Sequence, residues 1–226
     1  MIGIICAMDK ELKSFISSLE NLKEIDVMNF KFYQGNINKH QIVLVKSGIG
    51  KVSSGLVTIL MIEHFKPRLI INSGIAGGYH KALKPLDIVI GNKIGCYDID
   101  MMLDGALFGS ISGEKRFIEN DIEIEECNNL TIKYGTLMSA DQFQGNRDYL
   151  DNVFSKYFED ELVMGVDMES YSVASICDKY DIKWCVVRAI SDIIGCDSQI
   201  DSYNEFAEKA AHNAYTIIMK NFLGWH

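Results

Sequence analysis

Apolar and polar positions along this chain fall into blocks whose periods switch repeatedly between strand-like and helical. The segment MIGIICAM is a short apolar run, and in DKELKSFISSLE after it Leu12, Phe15, Ile16 and Leu19 fall at helical spacing, predicting a strand followed by a helix. FKFYQ and QIVLVKS read as strands separated by the polar GNINKH, which suits a hairpin. SGIGKVSSGLVTILMIEHF opens on glycines and continues as a helix, with Val52, Leu56, Leu60 and Phe65 on one face, ending before Pro67. RLIINSGIAGG is a buried strand breaking into a glycine-rich loop, and DIVIGN and IKYGTLMS repeat the pattern of a strand with a polar end. The last third alternates plainly: a helix from about Asn146 to Phe158, the strand ELVMGV, a helix from Ser170 to Tyr180, the strand KWCVVRAISD and a helix around Phe206 to Phe222. This order predicts an α/β protein, a three-layer αβα domain over 1–226 whose central twisted sheet is largely parallel and covered on both faces. No repeat, low-complexity tract or linker interrupts it.

Composition narrows the class. With 48% hydrophobic and 23% charged residues and only two prolines in 226 positions, the chain can build a large core. The formal charge of −9, with no run among the 22 Lys and Arg, argues against a nucleic-acid partner, because neutralising phosphates needs clustered cations. A small, weakly charged or cationic ligand fits better. The six cysteines form no CxxC pair and several lie in apolar runs, so they read as reduced packing residues. Asp9 and Lys10 follow the first apolar residues at once and no apolar run reaches spanning length, so the expectation is a cytoplasmic protein with no signal peptide and no membrane partner.

In open α/β sheets ligands sit beyond the carboxyl ends of strands, so the polar residues there come under scrutiny. Four places stand out: AMDKE with Glu11, NSGIAGG, VDMES with Asp167 and Glu169, and VVRAISD with Arg188, Ser191 and Asp192. A parallel sheet could gather Glu11, Glu169 and Asp192, the arrangement that bond hydrolysis by acid and base needs. Each also has a structural explanation: Glu11 and Glu169 as helix-start acids favoured by the dipole, Asp192 as a cap. SGIAGG has neither GxGxxG spacing nor a P-loop lysine. The five histidines are scattered without metal-ligand spacing, and no G-x-S-x-G elbow is present, so acid and base chemistry leads.

Taken together, GIICAMDKE, SGIGKV from Ser47 to Val52, INSGIAGG from Ile71 to Gly78, YDID, SADQF from Ser139 to Phe143, VDMES from Val166 to Ser170 and VVRAISD from Val186 to Asp192 resemble the 5'-methylthioadenosine/S-adenosylhomocysteine nucleosidases, a branch of the purine nucleoside phosphorylase superfamily. The resemblance spans nearly the whole chain. It implies a nucleoside phosphorylase-like fold, hydrolysis of the N-glycosidic bond of a purine nucleoside, no cofactor and a homodimer. It further implies that Glu11 activates water and Asp192 protonates purine N7. Glu169 would hold the ribose hydroxyls, Met168 would pack under the ribose, and Phe143 would stack on the purine. The backbone of Gln144 would read the base edge, and Ile49 would line the 5' pocket. Ile75, Ala76 and Gly77 join this substrate-binding set from the glycine loop, and Arg188 and Ser191 support it, Ser191 by holding the loop that presents Asp192.

The departures concern the 5' substituent. Ile75 stands where many relatives carry a small polar residue, Tyr97 replaces the usual histidine, and Asp104 sits where an aromatic is expected. An acid there would favour a polar or cationic 5' group, or would simply point to solvent. Three rivals follow: a phosphate-dependent phosphorylase, whose usual amino-terminal arginine is replaced here by Met8 and Glu11; a nucleosidase for another 5'-modified adenosine, such as 5'-deoxyadenosine or aminofutalosine; and a silent nucleoside-binding module, against which the retention of all three carboxylates argues.

Overall fold

The computed structural model describes residues 1–125, 127 and 130–224. Its order is β1 (Ile2–Cys6), α1 (Asp9–Ser17), β2 (Glu20–Val27), β3 (Phe30–Ile37), β4 (His40–Lys46), α2 (Lys51–Phe65), β5 (Leu69–Gly78), β6 (Ile88–Cys96), β7 (Phe117–Glu119), β8 (Ile132–Ser139), α3 (Arg147–Tyr157), β9 (Val163–Asp167), α4 (Ser170–Lys179), β10 (Lys183–Ile193) and α5 (Gln199–Leu223). The strands form one mixed sheet between two helical layers. Val57, Leu60 and Met61 of α2 join Val173, Ala174 and Cys177 of α4 in a core on one face. Leu12 and Phe15 of α1 join Ala210, Ala214, Ile217 and Ile218 of α5 on the other. The α/β layering expected from the alternation is therefore present.

Several features depart from the sequence reading in detail. Ser73–Gly78, expected as a glycine-rich loop, continues β5 as strand, and α5 begins at Gln199 rather than around Phe206. Residues 20–27, for which the pattern gives no strand, form β2, an exposed partner of β3 at the end of the sheet. Its Glu20, Lys23, Glu24 and Asp26 are the charges by which edge strands resist further pairing, so no apolar alternation marks it. The hairpin between β3 and β4 is tighter than the six-residue GNINKH: Ile37 pairs with His40, leaving Asn38 and Lys39 as the turn, with Asn38 at φ 52°. In α2, Leu60 is buried, but Val52 is 82% exposed and Leu56 44%. That helix is apolar on nearly every side, so periodicity alone does not select the face that meets the sheet.

What positions the site is the way β5 is paired. One edge of this ten-residue strand lies along β10. Its other edge is covered by parallel β1 only as far as Asn72, and by antiparallel β9 only at Gly77 and Gly78. Because β1 and β9 approach this edge from opposite directions, their carboxyl ends converge on the interval Ser73–Ala76, which neither strand pairs. Strand β10 pairs with β6, β6 with β8 and β8 with β9, so the sheet curls back on β5 and closes into a ring of strands. A bulge between Ile190 and Asp192 brings Asp192 opposite Gly77 at the same end of the ring.

Candidate active site

The pocket at this convergence is lined by Met8, Glu11, Ile49, Ile75, Ala76, Gly77, Phe143, Gln144, Met168, Glu169, Ser191 and Asp192, together with Ala7, Gln142, Val166, Asp167 and Tyr203. The residues expected at the site from sequence are thus brought together, with one placed differently. Arg188 does not line the cavity but lies behind it, 1% exposed.

Glu11 serves two purposes. As the third residue of α1 its carboxylate reaches back to accept from Met8 N at 3.0 Å, which is the structural explanation of a helix-start acid. It also accepts from Ala7 N at 2.8 Å and, across the unpaired interval of β5, from Ile75 N at 3.1 Å. Three backbone donors therefore fix its orientation. Burial raises its pKa above the usual carboxylate range, against the lowering effects of Arg188 and these N–H groups.

Glu169 stands immediately before α4 and accepts from Gly50 N at 2.9 Å. Gly50 precedes α2 at φ 98° and ψ 164°, a conformation open to glycine that turns its N–H toward the carboxylate. Burial first, then the neighbouring Asp167 charge, raises the Glu169 pKa to about 7. The SADQF loop is tied to the same corner. Asp141 accepts from Lys51 N at 2.8 Å, its own N–H donates to Asp98 at 2.9 Å, and the Lys51 ammonium pairs with Asp98.

Arg188 supplies the countercharge. Its Nε donates to Asp167 Oδ2 at 2.8 Å and its Nη2 to Asn72 Oδ1 at 2.6 Å. Ser139 donates to Asp167 Oδ1 at 2.6 Å, and Ser170 also donates to Asp167. Burial alone would lower the Arg188 pKa, but Asp167, Glu169 and Glu11 hold it above its ordinary value. Arg188 therefore stays charged and keeps this acidic corner foldable.

Asp192 is 1% exposed and burial raises its pKa, opposed by hydrogen bonds from Ser191 and Gln199. Burial thus raises all three carboxyls, and what distinguishes them is their partners: backbone N–H groups hold Glu11 and Glu169, whereas the Ser191 hydroxyl and the Gln199 amide hold Asp192. Phe143 meets the ring of Tyr203 edge-on at 5.3 Å, and Lys10 Nζ donates to the Tyr203 hydroxyl at 2.9 Å. Tyr203 and Gln199 were beyond sequence reasoning, since neither belongs to a motif. Asp104, considered for the 5' end, is exposed, accepts from Ser112 at 2.8 Å and is not part of this pocket's lining. Tyr97 is fully buried against Phe154. Among the described residues, no group of three or more His, Cys, Asp or Glu is placed to hold a metal ion.

The Phosphorylase superfamily model matches residues 1–223. A 5'-methylthioadenosine/S-adenosylhomocysteine nucleosidase from Staphylococcus aureus is 35% identical over 218 residues, 93% of this chain and 94% of that protein. The enzyme of the same name from Staphylococcus haemolyticus is 34% identical over 225 residues, 96% of this chain and 97% of its own length. This chain belongs to the 5'-methylthioadenosine/S-adenosylhomocysteine nucleosidase family. Solved members of the family share its fold. The Neisseria meningitidis nucleosidase in complex with methylthio-immucillin-A superposes with a TM-score of 0.88 at 26% identity, covering 96% of both chains. The S. pneumoniae enzyme with the transition-state inhibitor MT-ImmA also gives 0.88, at 28% identity and the same coverage. The nucleoside phosphorylase-like architecture is therefore that of the family.

Proposed function

We propose that this protein hydrolyses the N-glycosidic bond of 5'-methylthioadenosine and S-adenosylhomocysteine, releasing adenine and the 5-thioribose product. The observation that carries the reading is the set of buried carboxyls, Glu11, Glu169 and Asp192, around one pocket in a chain that matches nucleosidases over nearly its whole length. Breaking a ribosidic C–N bond builds positive charge on the sugar and negative charge on the leaving base, and each needs a partner. Asp192, held toward its protonated form, gives N7 its proton. Glu11, oriented by three N–H donors, takes the proton of the attacking water. Glu169 anchors the ribose hydroxyls over Met168 and adds negative potential beneath the cationic sugar. Phe143 stacks on the base and the Gln144 backbone reads its edge, while Ile49 and Ile75 give the 5' end an apolar wall. By analogy with inverting glycosidases, water attacks the face opposite the departing base.

Hydrolysis is favoured over phosphorolysis because no Lys or Arg is among the described residues lining the pocket. Inorganic phosphate would face Glu11, Asp167 and Glu169 without the cations that phosphate sites present. We place the enzyme in the cytoplasm, in methionine salvage, as a homodimer that covers the 5' end of each pocket.

The test is product analysis with 5'-methylthioadenosine in buffer without phosphate and again with it. Adenine and free methylthioribose without phosphate are expected. Adenine formed only with phosphate, alongside a sugar phosphate, would move the protein to the phosphorylases, and no adenine in either buffer would point to another 5'-substituted nucleoside. Asp192→Asn should lower turnover at least about a hundredfold, the scale of general acid catalysis. Undiminished turnover would remove Asp192 from the reaction.

A further inference from the structure

Gln199, the first residue of α5, is 7% exposed and has every polar atom of its side chain engaged. Its Oε1 accepts from Gly195 N at 3.0 Å, and its Nε2 donates to Asp192 Oδ2 at 2.8 Å and to the Gln144 carbonyl at 2.9 Å. The arrangement admits one orientation of the amide. Flipped, it would set an oxygen against two acceptors and an NH2 against a donor. On the other side of the carboxyl, the Ser191 hydroxyl donates to Asp192 Oδ1 at 2.5 Å. A donor at each oxygen fixes both the rotation of the carboxyl and its distance from the pocket wall.

From this geometry we infer that Gln199 is a positioning residue of the reaction, an amide clamp that locks the Asp192 carboxyl to the Gln144 backbone so that the proton donor and the base-reading loop keep one spacing. The inference rests on the assignment of Asp192 as the acid. It explains why three separate pieces of chain, the end of β10, the loop before α3 and the start of α5, converge here: a purine bound by one and protonated by another is served only if the two cannot drift apart. Gln199 also tunes the acid. Its N–H stabilises the carboxylate, so it partly offsets the effect of burial and keeps Asp192 able to release its proton. The titratable groups sharing the pocket are Glu11 from α1, Asp167 from the end of β9, Glu169 before α4 and Tyr203 from α5. Arg147 of α3, which packs against Gly195, is turned to the Tyr79 carbonyl and Asp151.

The test compares the pH dependence of kcat for the wild-type protein, Gln199→Met and Gln199→Glu, with Asp192→Asn alongside. Methionine keeps the length and loses the donor. Turnover should fall about tenfold, as for loss of a hydrogen bond to a charged group, mostly in kcat rather than KM. The basic limb of the profile should move to higher pH, because a carboxyl that has lost a donor holds its proton longer. Glutamate retains an acceptor for Gly195 and sets a second carboxyl against Asp192, so it should shift the same limb upward even if the methionine variant does not fold. A fall in kcat with the basic limb unmoved in the folded variants would reduce Gln199 to a packing residue and overturn the inference, as would unchanged turnover. Should Asp192→Asn itself retain activity, the acid assignment fails first and the inference falls with it; loss in Asp192→Asn beside indifferent Gln199 variants sinks the clamp alone.

Discussion

Glu169 shows how a single buried group makes stability depend on pH. Its pKa is about 7 in the folded protein, against 4.5 for an unperturbed glutamate. Below 4.5 both folded and unfolded chains carry the proton and the residue imposes no charge penalty. Between those values the folded state holds a proton the unfolded chain has released, so stability falls as pH rises, and above about 7 the loss is complete. A glutamine in its place would keep an oxygen for the Gly50 N–H while removing the charge. Glu169→Gln is therefore expected to match the wild-type protein near pH 4 and to exceed it in urea midpoint at pH 8, while hydrolysing poorly. Parallel curves across that range would mean that the charge is compensated, by Arg188 at 3.8 Å, more fully than burial implies. Residues of this kind were legible in the sequence, since a carboxylate just after an apolar strand invites attention. Gln199 was not, and Asn72 and Ser139, though inside the motifs INSGIAGG and SADQF, were given no role. They act through the direction of one hydrogen bond, which depends on chain segments meeting in space, and their residue types are unremarkable where they stand.

Among the elements, the loop that starts α2 ties backbone shape to the site. Gly50 combines φ 98° with a β-carbon position 3.0 Å from Asp141 Oδ1, and its N–H is the one that holds Glu169. Gly113 also has positive φ, 81°, but open space around it. Gly50→Ala should cost about 1–3 kcal/mol in backbone strain and raise KM as Glu169 loses its donor. Gly113→Ala should cost stability alone, leaving KM as it was. Equal kinetic effects of the two would show that the loop adapts around an added methyl group. Glycines in SGIG were visible as a helix-start signal, but what Gly50 does there involves Glu169, which is 119 positions away along the chain. Similarly, β2 escaped notice because its charges suit an edge strand, whereas β1, β5 and β10, buried on both faces, announced themselves as apolar runs.

At the scale of the molecule, the alternation of strands and helices made a helix-covered sheet legible. It showed neither the closure through β10 nor the antiparallel pairings β10–β6, β2–β3, β3–β4, β5–β9 and β6–β7, which make the sheet evenly mixed where a largely parallel one was expected. Pairing direction, register and curvature leave no period in the sequence. Nor does the pattern tell an inward apolar face from one awaiting a partner. In α2 the outward positions Val52, Leu56, Ile59 and Glu63 follow one another at steps of three and four, so the first three form an apolar stripe beside the exposed Ile49 of the pocket rim. An apolar stripe of this kind is what a partner surface would cover, and the homodimer proposed above would supply that cover if this stripe paired with a second copy. Because Ile49 belongs to both the stripe's surroundings and the pocket, assembly and the 5' end of the site should be coupled. Val52→Asp combined with Leu56→Asp, at outward-facing positions of α2, should leave the thermal unfolding of the protomer cooperative while converting a dimer into a monomer by sedimentation. KM for 5'-methylthioadenosine should rise with dissociation and recover at high protein concentration in the single variants. If the double variant sediments as the wild type does, the stripe is not the dimer face, and if it becomes monomeric with KM unchanged, each pocket is complete within its own chain.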